Sequence, residues 1–321
     1  MNKIDVLSRI SDEMREALNA NPPATTQTDE SDPLRRMRAN YNLDRQFWNQ
    51  GGPQMQRTLN VSVPFGDQTI QTRIHYPSSD KPLPGIFYIH GGGFIVGNLD
   101  THDRIMRLMA AESGCVVIGI DYSLSPEAKF PQAIEECVCV TRYFRQHASD
   151  YGLDPQQMAY AGDSAGAHLC LASFLWQRDK QMDVSFIKAL LLYYGLYGLQ
   201  DSRSRRLYGG CWDGLTREDL NYYEQMYLAA QDAAESPYYC LFNNDLSSHM
   251  PACFIAGSEF DPLLDDSKTL HSMLQANNLP SQYQVYEGTL HAFLHCSRIM
   301  PIAHKAIADG AKYFLHQLER A

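Results

Sequence analysis

The chain has 321 residues, 44% of them hydrophobic, enough for one large domain carrying an insertion. Its 37 Asp and Glu outnumber its 27 Lys and Arg, giving a formal charge of −10, which argues against direct binding to a phosphate backbone. No stretch is long and apolar enough to span a bilayer, and Met1-Asn2-Lys3-Ile4-Asp5 opens without the apolar block of an export signal, so a cytoplasmic, reducing setting is expected. In chain order, Ile4, Leu7, Ile10, Met14 and Leu18 recur at roughly helical spacing up to Pro22-Pro23, and a second helical stretch covers 34–48. Runs at 58–63 and 69–76 flank Gly66-Asp67 and read as an antiparallel hairpin at a sheet edge. Further β-like runs at 86–89, 116–120, 158–161, 189–193, 252–256 and 283–286 alternate with helical segments, which predicts a mostly parallel central sheet flanked by helices. More chain lies between Leu192 and Phe254 than a crossover needs, and this insertion is rich in aromatics such as Tyr208, Trp212, Tyr223, Tyr227 and Tyr239. With the N-terminal helices it predicts a helical cap, built from about 1–50 and about 195–248, on a single domain of residues 1–321. Apolar spacing over 302–318 predicts a last helix packed on the sheet.

The strongest local signal is Gly162-Asp163-Ser164-Ala165-Gly166, between the β-like run at 158–161 and a helical stretch. In that context it reads as a nucleophile elbow, a sharp turn that exposes the Ser164 hydroxyl and needs small residues at 162 and 166 to clear the neighbouring strand and helix. A second signal, His90-Gly91-Gly92-Gly93-Phe94, follows the run at 86–89. Its glycines let backbone N–H groups approach a developing oxyanion, so Gly91, Gly92 and Gly93, with Gly92 and Gly93 foremost, join Ala165 as candidate donors. No phosphate-loop pattern accompanies these glycines. A serine hydroxyl needs a base, and the base an orienting acid. His291, after the run at 283–286, and Asp261, after the run at 252–256, stand at strand ends in the required places. Asp261-Pro262 also fits a helix N-terminus, and Asp265 and Asp266 are alternative acids that fall a turn inside the next helix. Asp163 fits either a turn or a tuning role, and Asp121 and Glu127 fit anchors of the nearby loop through backbone N–H groups. His291 and His295 stand four apart, as zinc ligands can, but Ala292 occupies the position of the catalytic Glu, so no metal and no cofactor is expected. The eight cysteines lie mostly in apolar runs and read as reduced core thiols.

These motifs, with Asp121-Tyr122-Ser123-Leu124-Ser125-Pro126-Glu127, Phe130-Pro131 and Asp261-Pro262-Leu263, resemble the hormone-sensitive-lipase family of α/β-hydrolase esterases over nearly the whole chain. Asn98-Leu99-Asp100-Thr101-His102-Asp103-Arg104, Glu235-Ser236-Pro237-Tyr238-Tyr239-Cys240 and Gly288-Thr289-Leu290-His291-Ala292-Phe293 are similar to the enterobacterial acetyl esterases in particular. The resemblance implies an α/β-hydrolase fold and a short-chain serine carboxylesterase, with Ser164 as nucleophile, His291 as base and Asp261 as its orienting acid. It also implies contacts with protein partners such as a maltose-regulon transcription activator and an α-galactosidase, which leaves a regulatory role beside the esterase open. Amidase chemistry and a homodimer are likewise left open. Ala167-His168 departs from the Gly-Asn that follows the elbow in many relatives.

Overall fold

Eight extended segments pair into one sheet in a computed structural model that describes residues 3–20, 31–78 and 82–320. They are β1 (Arg57–Phe65), β2 (Gln68–Tyr76), β3 (Leu83–Ile89), β4 (Val116–Asp121), β5 (Leu153–Asp163), β6 (Ile187–Tyr193), β7 (Ala252–Ser258) and β8 (Ser281–Tyr286). The spatial order is β1-β2-β4-β3-β5-β6-β7-β8; the β1–β2 and β2–β4 pairs are antiparallel and the others parallel. The hairpin closes on a two-residue turn in which Gly66 takes φ 55°, as the Gly66-Asp67 pair predicts.

Nine α-helices complete the described chain: α1 (Asp12–Ala20), α2 (Pro33–Trp48), α3 (Asp103–Ser113), α4 (Gln132–Gln146), α5 (Ala165–Asp179), α6 (Arg203–Leu207), α7 (Arg217–Tyr227), α8 (Leu264–Ala276) and α9 (Pro301–Arg320). Residues of β3 alternate between two cores. Phe87 and Ile89 join α4, α5 and α8 on one face, whereas Ile86 and Tyr88 join α3, α9 and the N-terminal segment on the other. Burial on both faces explains why the interior parallel strands read as apolar runs where they cross the core, whereas the edge strand β8 alternates between partly buried and exposed residues. No helix among the described residues is long and apolar enough to cross a membrane.

The N-terminal periodicity overreaches in one respect. Residues 6–10 form turns and bends, and the helix begins only at Asp12, where the Ser11 hydroxyl accepts the Met14 N–H at 3.1 Å. A serine whose side chain satisfies an orphan N–H starts a helix more effectively than apolar spacing extends one backwards. Pro22 and Pro23, expected to end this helix, lie outside the described residues. The core-thiol reading holds for Cys115, Cys137, Cys170, Cys253 and Cys296, which are buried, but Cys211 is exposed on the insertion between β6 and β7.

That insertion carries α6 and α7 and is tied to the first turn of α8. Asp266 is fully buried and accepts the N–H groups of Tyr197, Gly198 and Leu199 at 2.8, 3.1 and 3.2 Å, while Asp265 accepts Ser204 N–H at 2.8 Å. The two carboxylates considered as alternative acids are therefore anchors for the insertion.

Candidate active site

The carboxyl ends of β3, β5, β7 and β8 converge on one cavity, the usual ligand-binding edge of a parallel α/β sheet. β5 runs directly into Ser164, whose backbone is held at φ 53°, ψ −121° before α5 begins. A Cβ on Gly166 would collide with the Ile89 carbonyl oxygen, and one on Gly162 would lie 2.6 Å from the Gly166 carbonyl carbon, so β3, β5 and α5 approach closely only with glycine at both places. Non-glycine residues with positive φ recur here: Phe94 at 66°, Ser164 at 53°, Tyr194 at 39° and Ala292 at 62°. Such strain persists where surrounding contacts over-determine it.

Ser164 Oγ and His291 Nε2 are 2.9 Å apart, and His291 Nδ1 is 2.7 Å from Asp261 Oδ2. Asp261 is fully buried, and its other oxygen accepts the Leu263 N–H at 2.7 Å, so the carboxylate serves both the turn before α8 and the imidazole. The helix-start reading of Asp261 is corrected: Leu263 is the N-cap of α8 and carries no side-chain cap, while Asp261 closes the turn ahead of it and orients the imidazole. Burial alone lowers the His291 pKa, but the charge and hydrogen bond of Asp261, with a contribution from Asp213, raise it above its ordinary value. Both ring nitrogens of His291 are engaged, so its spacing to His295 does not reflect a shared metal site.

Among the described residues, no acceptor engages the N–H groups of Gly92, Gly93 or Ala165. Gly91 differs. Its N–H is donated to Asp163 Oδ1 at 3.0 Å, which removes Gly91 from the candidate oxyanion donors. Sheet register sets this pairing: Ile89 lies opposite Gly162, so the residues that follow the two strands meet, and the nearer N–H finds the Asp163 carboxylate first.

Asp163 is almost completely buried and also accepts the Tyr88 hydroxyl at 2.7 Å, with His102 Nε2 3.5 Å away. Burial would raise its pKa, but the neighbouring His102, the more distant His295 and the Tyr88 hydroxyl together hold it below the ordinary carboxylate range. His102, Asp163 and His295 offer ligand atoms within 4.8 Å of one another. The Asp163 oxygen nearest His102 already accepts from Tyr88 and Gly91, so this cluster acts as the anchor of the glycine loop. Burial pulls His90 down to about 3 and His168 down to about 4, which leaves both neutral near pH 7. His168 donates to the Tyr239 carbonyl at 2.9 Å, so the departure after the elbow ties α5 to the insertion.

The cavity has a volume of about 460 Å³ and is lined from the N-terminal side by Met14, Leu18 and Trp48 and from the insertion by Trp212, Leu215 and Tyr223. Asp213, on the same insertion, accepts the N–H groups of Gly210 and Leu215, both at 3.1 Å, and burial pushes its carboxyl up to about 6. Glu127 is placed otherwise than expected: it forms a two-pronged ion pair with Arg38 of α2 at 2.8 and 2.7 Å, and Arg38 also donates to the carbonyls of Ile95 and Ser125. Burial pushes the Asp121 carboxyl up to about 6, with nearby Asp100 adding to the rise and Arg73 opposing it. Sequence reasoning passed over Arg38 and Asp213 because no local motif marks them, and it gave His102, inside the 98–104 stretch, no role at the site; only the fold brings all three there.

Residues 86–295 match the family described as the alpha/beta hydrolase fold. The chain belongs to that family, in its hormone-sensitive-lipase group of esterases, and is a carboxylesterase. It is 56% identical over 319 residues to the acetyl esterase of Salmonella agona (strain SL483), covering 99% of this chain and 98% of that one. The acetyl esterase of Salmonella typhi matches to the same extent, 56% over 319 residues. Among solved structures, the hyperthermophilic esterase from the archaeon Pyrobaculum calidifontis superposes with a TM-score of 0.88 at 27% identity, covering 97% of this chain and 99% of that one. EstE1, a thermostable carboxylesterase cloned from a metagenomic library, gives 0.85 at 25% identity over 90% of this chain and 98% of its own.

Proposed function

We propose that the chain hydrolyses short-chain acyl esters, acetyl esters foremost, through an acyl-enzyme on Ser164. The observation that carries this reading is the unbroken relay from Ser164 Oγ to His291 at 2.9 Å and from His291 to Asp261 at 2.7 Å. As Ser164 Oγ attacks the ester carbonyl, its proton passes to His291 Nε2, and Asp261 holds the tautomer and stabilises the imidazolium. The carbonyl oxygen becomes an anion that the N–H groups of Gly92, Gly93 and Ala165 receive. His291 then protonates the departing alcohol, and a water molecule activated by the same imidazole releases the acid and restores Ser164.

The three N–H groups without an acceptor support the oxyanion assignment, since a preorganised hole keeps its donors uncommitted until charge develops. The N-terminal helices and the insertion act as a cap on a single catalytic domain, and the cavity of about 460 Å³ beneath them suits a small ester. The names of the Salmonella relatives favour acetyl as the acyl group. The test is a series of p-nitrophenyl esters from acetate upward, run beside Ser164→Ala. Turnover efficiency highest at the shortest acyl chains and lost in the variant is the expected result; a maximum at long chains overturns the assignment.

A further inference from the structure

The glycine loop does not hold its own shape. Gly92, Gly93 and Phe94 follow one another at φ 123°, 58° and 66°, and the third of these is not glycine. Within the loop, the Gly92 carbonyl accepts the N–H groups of Ile95 and Val96 at 3.1 and 3.0 Å, which closes the turn but leaves the Phe94 ring to be fixed from outside. Helix α7 supplies that contact. Tyr227 stacks on Phe94 with ring centroids 3.9 Å apart and planes 5° from parallel, and His168 meets the Phe94 ring edge-on at 5.4 Å. One turn earlier on α7, Tyr223 lies across Gly93: a Cβ built there would come within 2.8 to 3.0 Å of three atoms of its ring. The Tyr223 hydroxyl donates to the Gly214 carbonyl at 3.1 Å, which steadies the ring in this position.

We propose that α7 of the insertion holds the glycine loop in its donor geometry, so that Tyr223, across Gly93, and Tyr227, stacked on Phe94, are positioning residues for the N–H groups of Gly92 and Gly93. The proposal rests on the reading of those groups as the oxyanion hole. It makes the insertion part of the catalytic geometry as well as a wall of the cavity, because displacement of α7 would free both rings from the loop at once. Since a donor acts at full strength only when aimed at the developing oxyanion, loosening the loop reduces the rate of the chemical step before it affects ester binding.

The test compares Tyr223→Ala, Tyr223→Leu and Tyr223→Phe for kcat and KM on p-nitrophenyl acetate, and for inhibition by a small trifluoromethyl ketone. Ser164 Oγ adds to that ketone as its proton passes to His291, leaving the former carbonyl oxygen as an anion in the hole. Loss of one whole oxyanion donor costs on the order of 10²-fold in rate, so misaimed donors are expected to lower kcat by about 10-fold in the Ala and Leu variants, with KM changed less than about threefold. Ketone affinity falls by the same factor as kcat/KM, and Tyr223→Phe, which keeps the flat ring, stays within about twofold of the parent. Leu preserves bulk, so the comparison survives if Ala disturbs the fold of α7. A parent-like kcat in both the Ala and Leu variants, or a loss carried by KM alone, overturns the proposal. If the parent enzyme turns over the ester but binds the ketone no better than its unfluorinated counterpart, the oxyanion reading itself fails.

Discussion

Asp163 Oδ1 accepts the Gly91 N–H at 3.0 Å, so the residue preceding the nucleophile fastens the glycine loop to the elbow. The same oxygen accepts the Tyr88 hydroxyl at 2.7 Å. In Asp163→Asn the amide keeps one acceptor but turns an NH₂ toward neighbours that also donate. Leaving one of these groups unpaired in the interior costs about 1–3 kcal/mol, so the thermal midpoint should drop. Activity should fall with it, by about 10-fold in kcat, because the loop loses its tether. A melting curve and a steady-state assay on the purified variant check both parts.

The pH profile should carry the signature of the Asp261–His291 pair. Catalysis needs His291 neutral, and its pKa is raised above the ordinary 6.5, so kcat/KM should fall on acidification with a midpoint above that value. Asp261→Asn removes the principal raising contribution. Its residual activity should be about 10⁴-fold lower, with an acid limb displaced to lower pH. The same raised pKa adds to stability below pH 6.5, and that contribution is lost as pH rises through the folded value.

His168 works in the opposite sense. Burial draws its pKa down to about 4, so its contribution to stability is full above the ordinary value of 6.5 and is lost as pH falls toward 4. His90, drawn down to about 3, acts in the same direction. The midpoint of thermal unfolding should therefore decline between pH 7 and pH 5, and His168→Gln should show a shallower decline than the parent. Melting curves at matched ionic strength measure the difference.

Two carboxylates outside the relay should behave very differently. Asp266→Ala leaves the N–H groups of Tyr197, Gly198 and Leu199 without their acceptor and Arg205 without its partner at 3.4 Å, a loss of about 3 kcal/mol or more. Glu127→Gln touches a carboxylate with 64% of its side chain exposed, and should change stability by less than about 1 kcal/mol. Denaturant titration of the two variants side by side separates an interior anchor from a surface pair.

The residues of the relay were legible because each lies at a strand-to-loop junction whose local pattern survives without tertiary information. Ser164 sits between small residues that only a tight turn requires, Asp261 follows a fully buried apolar run, and His291 follows a short alternating strand that ends at a Glu-Gly turn. The placement of β4 between β2 and β3 was not legible, because parallel neighbours are chosen by packing across the sheet rather than by anything adjacent in the chain. The role of Gly91 was missed for the same reason: its partner Asp163 lies 72 residues away, and only the pairing of β3 with β5 brings them together. Helix α1 was overextended because an apolar repeat looks the same in a turn that happens to face the core, as Val6 and Ile10 do.

Asp261, Asp265 and Asp266 occupy one short stretch at the top of β7, where the first steadies the imidazole and the other two grip the opening of the insertion. The insertion and the Ser164–His291–Asp261 relay thus share a single post. A chimera that replaces the 195–248 region with that of another esterase must reproduce the backbone path over 197–204, or carry its own version of this post. Otherwise a change intended for substrate preference would reach the proton-transfer machinery as well.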